Sequence, residues 1–211
     1  MKNTVVYKLD EKNPDINIIK ICAKKIKDGG VVCFPTETVY GVGANAFDKK
    51  AVADIYYAKE RPMQKPLLCH VYSLEQAMEI AYLTDEAKLL ISKFTPGPLT
   101  VIVKKKEGIP DIVTASGDTV GLRFPSNAIF SLSAREAGCP IAATSANLSG
   151  NISAKNGEEV IKELFGRVDI IIDAGNTEYG LESTIISLLG EPKILRQGAV
   201  SRECIERVIK V

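Results

Sequence analysis

Hydroxyls, cations and amides recur in this sequence where apolar runs end. The first cluster is Cys33-Phe34-Pro35-Thr36-Glu37-Thr38-Val39-Tyr40-Gly41-Val42-Gly43. An apolar run from Val31 to Phe34 stops at Pro35 and gives way to threonine hydroxyls, a tyrosine and glycines. A strand opening into a hydroxyl-rich, glycine-permissive turn is how α/β proteins present ligand-binding groups at a strand end. The second cluster, Lys59-Glu60-Arg61-Pro62-Met63-Gln64-Lys65-Pro66, puts three cations in seven positions. The third is Thr144-Ser145-Ala146-Asn147-Leu148-Ser149-Gly150. Together they suit an anionic ligand with many oxygens.

Each cluster has a plainer reading. Lys59, Arg61 and Lys65 could be a solvated helix end, but Pro62 and Pro66 stiffen the segment and reduce the entropy lost in holding cations in place. Arg61 offers a planar fork for phosphate or carboxylate, and the lysines offer point charges. Arg123 interrupts the apolar run Val120-Gly121-Leu122-Arg123-Phe124, so it must be paired or face a cavity. Arg196, after Ile194-Leu195, poses the same question. His70 is the only histidine and lies in Leu67-Leu68-Cys69-His70-Val71. Strand alternation sets Leu68 and His70 on one face and the apolar Leu67, Cys69 and Val71 on the other. His70 is then either a hydrogen-bonded core residue or a pocket residue. Ser183-Thr184 again places hydroxyls at the mouth of an apolar run, Ile185-Ile186.

Several chemistries are excluded by inspection. Gly41-x-Gly43 does not directly follow its strand and open a helix, as a dinucleotide fingerprint requires. Pro35 to Tyr40 intervene, and Asn45 and Asp48 read as a turn. There is no phosphate-binding G-x-x-x-x-G-K-[ST] loop and no H-E-x-x-H, and His70 is not beside a nucleophile in sequence. Cys22, Cys33, Cys69, Cys139 and Cys204 are scattered without C-x-x-C spacing, which argues against a zinc or redox motif and for reduced thiols.

The elements that position these groups follow from periodicity and punctuation. Helices are expected from Pro14 to Gly29, over Lys49–Lys59 with Val52, Ile55 and Tyr56 inward, over Ser73–Tyr82 and Thr84–Phe94, from a Ser126 cap to Ala137, over Gly157–Phe165 and over Val200–Lys210. Strands are expected at Val31–Phe34, Leu67–Val71, Leu99–Val103, Val120–Phe124, Ile141–Thr144, Ile170–Ile172, Thr184–Leu188 and Ile194–Leu195. The alternation is not strict, so the expected fold is α/β with a mixed sheet. No repeat or linker divides the 211 residues, so one domain over 1–211 is expected.

A net charge of +1 gives little to a strongly cationic nucleic-acid binder but leaves room for a local basic pocket. No apolar run approaches the ~18 residues of a membrane span. The N-terminal residues lack the apolar core of a signal peptide, so a cytoplasmic protein is expected.

Seven ordered blocks resemble the YrdC/Sua5 family, the L-threonylcarbamoyladenylate synthases of tRNA modification, over about Ile19 to Val200. They are Phe34-Pro35-Thr36-Glu37-Thr38-Val39-Tyr40-Gly41; Lys59-x-Arg61-Pro62 continuing to His70-Val71; Pro96-Gly97-Pro98-Leu99-Thr100; Gly121-x-Arg123-x-Pro125; Thr144-Ser145-Ala146-Asn147-x-Ser149-Gly150; Ser183-Thr184; and Leu195-Arg196-x-Gly198. The resemblance implies a twisted mixed sheet with flanking helices and a concave, positively charged pocket. It implies a nucleotidyltransferase that converts L-threonine, bicarbonate and ATP to threonylcarbamoyl-AMP and pyrophosphate. A separate tRNA threonylcarbamoyl transferase complex then uses the product to make N6-threonylcarbamoyladenosine. Whether the chain binds tRNA directly is left open.

By the same resemblance, Lys59 and Arg61 are the catalytic pair. Thr38, His70, Arg123, Ser145 and Ser183 face threonine, and Lys59, Arg61, Lys65, Thr119, Ser145, Asn147 and Arg196 face the nucleotide. Mg2+ arrives with ATP and needs no protein cage, because it retains several waters. The chain ends soon after Gly198, so the short form of the family is expected. The chemistry suits the residues. Threonine's amine captures CO2 as a carbamate, whose oxygen attacks the α-phosphorus of ATP. Both reactants are anionic, and catalysis is mostly positioning and charge neutralisation. The rival readings are a double-stranded RNA-binding module and a carbamoyl transferase of the hydrogenase-maturation type.

Overall fold

The computed structural model describes all residues, Met1–Val211. Its helices are α1 (Ile16–Lys27), α2 (Lys49–Lys59), α3 (Leu74–Ile80), α4 (Asp85–Phe94), α5 (Asp111–Thr114), α6 (Ala128–Ala137), α7 (Gly157–Leu164) and α8 (Arg202–Glu206). The strands are β1 (Val5–Lys8), β2 (Val32–Phe34), β3 (Gly41–Asn45), β4 (Leu68–His70), β5 (Ala81–Tyr82), β6 (Leu99–Lys105), β7 (Thr119–Arg123), β8 (Ile141–Ser145), β9 (Ile170–Asp173), β10 (Thr184–Ser187) and β11 (Lys193–Arg196).

These strands form one sheet in the order β1-β9-β2-β3-β8-β4-β7-β6-β10-β11, with β5 paired to β6. Pairing is parallel at β1–β9, β9–β2, β4–β7 and β6–β10 and antiparallel elsewhere, so the sheet is mixed, as expected.

Register divides the side chains into two sets. One face carries Cys33, Val42, Cys69, Val101, Leu122, Ala142, Ile171 and Ile186, packed with Ile55 and Tyr56 of α2, Leu90 of α4 and Leu164 of α7. The other face carries Val32, Phe34, Ile141, Ala143, Ile170 and Ile172 at one end, covered by Ile19, Cys22 and Ile26 of α1 and Ile129, Phe130 and Ala134 of α6. Burial of apolar area on both faces is the main force holding the layers together. The rest of that second face, over β4, β7, β6 and β10, carries Leu68, Gly121, Ile102 and Ile185 and borders a cavity.

The structure corrects several expectations. The glycine-permissive turn expected through Gly41 and Gly43 is instead a central strand, β3, bonded to β2 and β8, while the turn read at Asn45 and Asp48 is present, the Asp48 amide donating to Asn45 O at 3.1 Å. Its glycines serve packing: a Cβ at Gly41 would lie 2.6 Å from the Phe34 ring, and one at Gly43 2.8 Å from the Ala142 carbonyl oxygen. β1 is an additional edge strand: Val5-Val6-Tyr7 is a short apolar run, but it is only partly buried. The helix expected to reach Tyr82 stops at Ile80, where Ala81 and Tyr82 pair with Lys105 and Lys104. Asn127, not Ser126, caps α6, its side chain accepting from the Ile129 and Phe130 amides. The last helix is short and begins at a Ser201 cap.

Candidate active site

A cavity of about 500 Å3 lies on the uncovered part of the sheet. Its floor is made by Leu68, Gly121's neighbour Ile102, Ala143 and Ile185, and its rim by Thr36, Arg61, Lys65, Ser145, Ser183 and Arg196. Gly121 keeps the floor low, because a Cβ there would lie 2.6 Å from Leu68 Cδ2. Four cations, Arg61, Lys65, Arg123 and Arg196, line the cavity with one carboxylate, Glu182.

Arg123 ends β7 and is almost wholly buried. Glu37, equally buried, accepts from its Nη2 at 3.0 Å. The same nitrogen reaches Thr38 Oγ1, and Thr36 Oγ1 lies 3.4 Å away. Thr36 Oγ1 donates to Val39 O at 2.6 Å, which fixes the hydroxyl pair. All of Arg123's bonds within the chain pass through Nη2, and its Nε is buried with no partner. Burial lowers its pKa, and Glu37 opposes the shift. Arg123 is thus both paired and cavity-facing.

Lys59 is not the solvated helix end considered from sequence. It is 1% exposed and donates to the main-chain carbonyls of Ser145 and Asn147, with no carboxylate in contact. Burial first, and the Arg61 charge second, lower its pKa from 10.5 to about 8. It supports the Ser145 loop from behind and does not line the cavity. Arg61 follows Glu60, whose left-handed φ of 53° ends α2. Arg61 Nε donates to Lys65 O at 3.2 Å and Nη2 to Pro66 O at 2.9 Å, so the expected stiff segment is closed on itself by its own guanidinium.

His70 is 3% exposed and also lines the cavity. Its ring meets the rings of Phe34 at 6.1 Å and Phe130 at 5.5 Å, edge to face. Its Nδ1 has no partner. Burial, aided by the Arg123 charge, holds its pKa well below 6.5, so the ring is neutral. His70 is therefore a buried ring that also lines the cavity, but its buried Nδ1 lacks the hydrogen bond expected of a core histidine. Across the cavity, Ser183 Oγ lies 2.9 Å from Thr100 Oγ1. Arg196 donates to Ser183 O at 2.9 Å and to Glu182, whose other oxygen accepts from Ser153 Oγ at 2.6 Å. Thr184 is structural: it donates to Val200 O and accepts from the Gly198 amide.

Of the residues expected from sequence, Arg61, Lys65, His70, Arg123, Ser145, Ser183 and Arg196 are brought together at the cavity. Thr38 and Lys59 stand behind it, on Arg123 and on the Ser145 loop. Asn147 is buried, its Nδ2 donating to Leu148 O and Asn151 O while Oδ1 has no partner. Thr119 shares Arg123's sheet face but lies at the far end of β7, opposite Lys104 and away from the cavity lining. Glu37 and Glu182 were missed as site residues. Glu37 lies inside the first block and Glu182 beside Ser183-Thr184, but an acidic residue in an anion site counts as unfavourable until its cation is seen.

No three His, Cys, Asp or Glu side chains stand together to hold a metal ion, and Glu182 is already engaged by Arg196 and Ser153. These residues do not form a ligand set for Mg2+.

The fold and site define an α/β protein with a half-bare sheet face rimmed by cations and hydroxyls. A model of the Sua5, YciO and YrdC proteins, described as telomere recombination, matches residues 24–198, and the chain belongs to this family. It is 44% identical over 197 residues to the threonylcarbamoyl-AMP synthase of Pyrococcus abyssi, covering 90% of this chain and 57% of that protein. It is 39% identical to the putative threonylcarbamoyl-AMP synthase of Methanocaldococcus jannaschii, covering 95% of both. The crystal structure of P. abyssi Sua5 complexed with L-threonine superposes with a TM-score of 0.95 at 41% identity, covering 98% of this chain and 61% of that one. The chain therefore spans less than two thirds of the Pyrococcus protein.

Proposed function

We propose that this chain is an L-threonylcarbamoyladenylate synthase, a nucleotidyltransferase making threonylcarbamoyl-AMP and pyrophosphate from L-threonine, bicarbonate and ATP. The observation that carries the reading is Arg123: a buried, cavity-lining guanidinium anchored through one nitrogen by Glu37 and Thr38, with its other nitrogens making no bond within the chain. Such a group is poised for a carboxylate. The kinship with the Pyrococcus enzyme and with the threonine-bound Sua5 structure supports threonine as the source of that carboxylate.

In this reading threonine's carboxylate sits on Arg123, between Thr36, Ser145 and Ser183, with His70 closing the floor. The triphosphate lies along Arg61, Lys65 and Arg196, where fixed cations screen the repulsion between carbamate and phosphate. Lys59 and Asn147 hold the Ser145 loop in register. Bicarbonate gives up water to supply CO2, and the threonine amine adds to it and loses a proton. The carbamate oxygen bonds to the α-phosphorus as the bond from that phosphorus to the α,β-bridging oxygen breaks, so that pyrophosphate leaves with that oxygen and its electron pair. Mg2+ is proposed only as the ion that travels on ATP. The product passes to a tRNA threonylcarbamoyl transferase complex in the cytoplasm.

No helix is long and apolar enough to cross a membrane. Incubation with labelled bicarbonate, threonine and ATP should give threonine-dependent pyrophosphate release and a labelled adenylate. Release that ignores threonine, or use of carbamoyl phosphate instead, would refute the reading.

A further inference from the structure

Glu37 is a carboxylate buried behind an anion site, where its charge costs binding unless it does something else. It is 4% exposed, and both its oxygens are used. Oε1 accepts from Arg123 Nη2 at 3.0 Å, and Oε2 accepts from the Ser126 amide at 3.1 Å. Its main-chain oxygen accepts from the Tyr179 amide at 2.8 Å, in the segment that leads to Glu182 and Ser183. One residue thus ties together the end of β7, the entry to α6 and the segment that bears the cavity's far wall.

We infer that Glu37 is a positioning residue that sets the Arg123 guanidinium for a ligand carboxylate. The inference rests on reading the cavity as a threonine and ATP site. A carboxylate is the only side chain of this length that accepts on both atoms. Glutamine accepts on one and presents its NH2 to a donor at the other, so it must release either Arg123 or the Ser126 amide. Without the Glu37 carboxylate, Arg123 keeps only the Thr38 and Thr36 hydroxyls, which leave its unused donors less firmly aimed at the ligand.

The test is calorimetric titration of L-threonine and of ATP into the full chain, as wild type, Glu37→Gln, Arg123→Gln and the double variant, each with a thermal melt. Glu37→Gln should weaken threonine binding roughly 10- to 100-fold, the weight of one charge-assisted hydrogen bond, with ATP binding little changed. In the Arg123→Gln background the same change should have no further effect on threonine. The double variant removes both buried charges, so it should fold even if Glu37→Gln alone does not.

Unchanged or tighter threonine binding in folded Glu37→Gln would overturn the inference, as would a further tenfold loss in the Arg123→Gln background. A lowered melting temperature with unaltered threonine affinity would make Glu37 purely structural. Failure of the wild type itself to bind threonine would instead overturn the reading of the site.

Discussion

Lys59→Met is the most informative perturbation of the scaffold behind the site. The substitution keeps the length of the side chain and removes an ammonium that is 1% exposed and held only by the Ser145 and Asn147 carbonyls. Burial lowers the Lys59 pKa from 10.5 to about 8. Below pH 8 the amine is charged in both states, and the folded chain bears the whole cost of burying it. Between pH 8 and 10.5 the unfolded chain holds a proton that the folded chain has released, so stability rises with pH. Above pH 10.5 neither state is charged and the cost is gone. The full gain is about 3 kcal/mol.

The assay is denaturant unfolding of wild type and Lys59→Met at intervals from pH 7 to pH 10.5. Other groups titrate in this range, so the quantity is the difference between the two proteins. Relative to Lys59→Met, the wild type should gain about 3 kcal/mol across the window. The absolute level at neutral pH is less telling: removing the buried charge stabilises, while the two carbonyls lose a donor at about 1–3 kcal/mol each. A flat difference across the range would refute the reasoning and show that an unseen anion or water keeps Lys59 at its ordinary pKa.

Arg61→Ala should fold normally and lose at least tenfold in pyrophosphate release, since one charge-assisted contact of roughly 1.5–3 kcal/mol goes; near-normal turnover would sink the nucleotide assignment. His70→Ala should lower stability by about 2–4 kcal/mol, because its ring packs on Phe34 and Phe130. It should also raise the KM for threonine more than that for ATP; a melt shift with no KM change would leave His70 structural only. Alanine should be adenylated far more slowly than threonine, because the site's hydroxyl partners go unpaired. Serine should be only about fivefold worse than threonine, the weight of one methyl at about 1 kcal/mol; equal rates for alanine and threonine in a steady-state assay would end the substrate reading.

The legible parts of the sequence were those governed by local rules. The strands Val32–Phe34, Thr119–Arg123 and Ile141–Ser145 and the helix Lys49–Lys59 stood out by apolar runs and periodicity. Arg123 stood out because a cation in an apolar strand needs a reason. The illegible parts depended on neighbours distant in the chain. Gly41 and Gly43 look like turn glycines until Phe34 and Ile141 are found against them. Lys59 looks solvated until the Ser145 loop, contributed by the other side of β8, is found folded over it. Glu37 has no meaning without Arg123, which is 86 positions away.

The site exists because one face of a single sheet is covered only in part. At the β2, β3 and β8 end, Phe34 and Phe130 join α1 and α6 in a closed apolar layer. His70 ends that layer, with its ring against both phenylalanines and its edge on the cavity. Beyond it the same face continues as Leu68, Gly121, Ile102 and Ile185, an apolar strip that a further helix could have buried at about 25 cal/mol per Å2. Arg61, Lys65 and Arg196 stand around that strip, and a helix laid there would have to desolvate three cations of which only Arg196 has a carboxylate partner, Glu182. Under the proposed function the strip takes something that is apolar on one side and anionic on the other. An amino acid whose methyl meets the strip and whose carboxylate meets Arg123 satisfies that condition, and so does a nucleotide whose base lies on the strip and whose phosphates meet the rim.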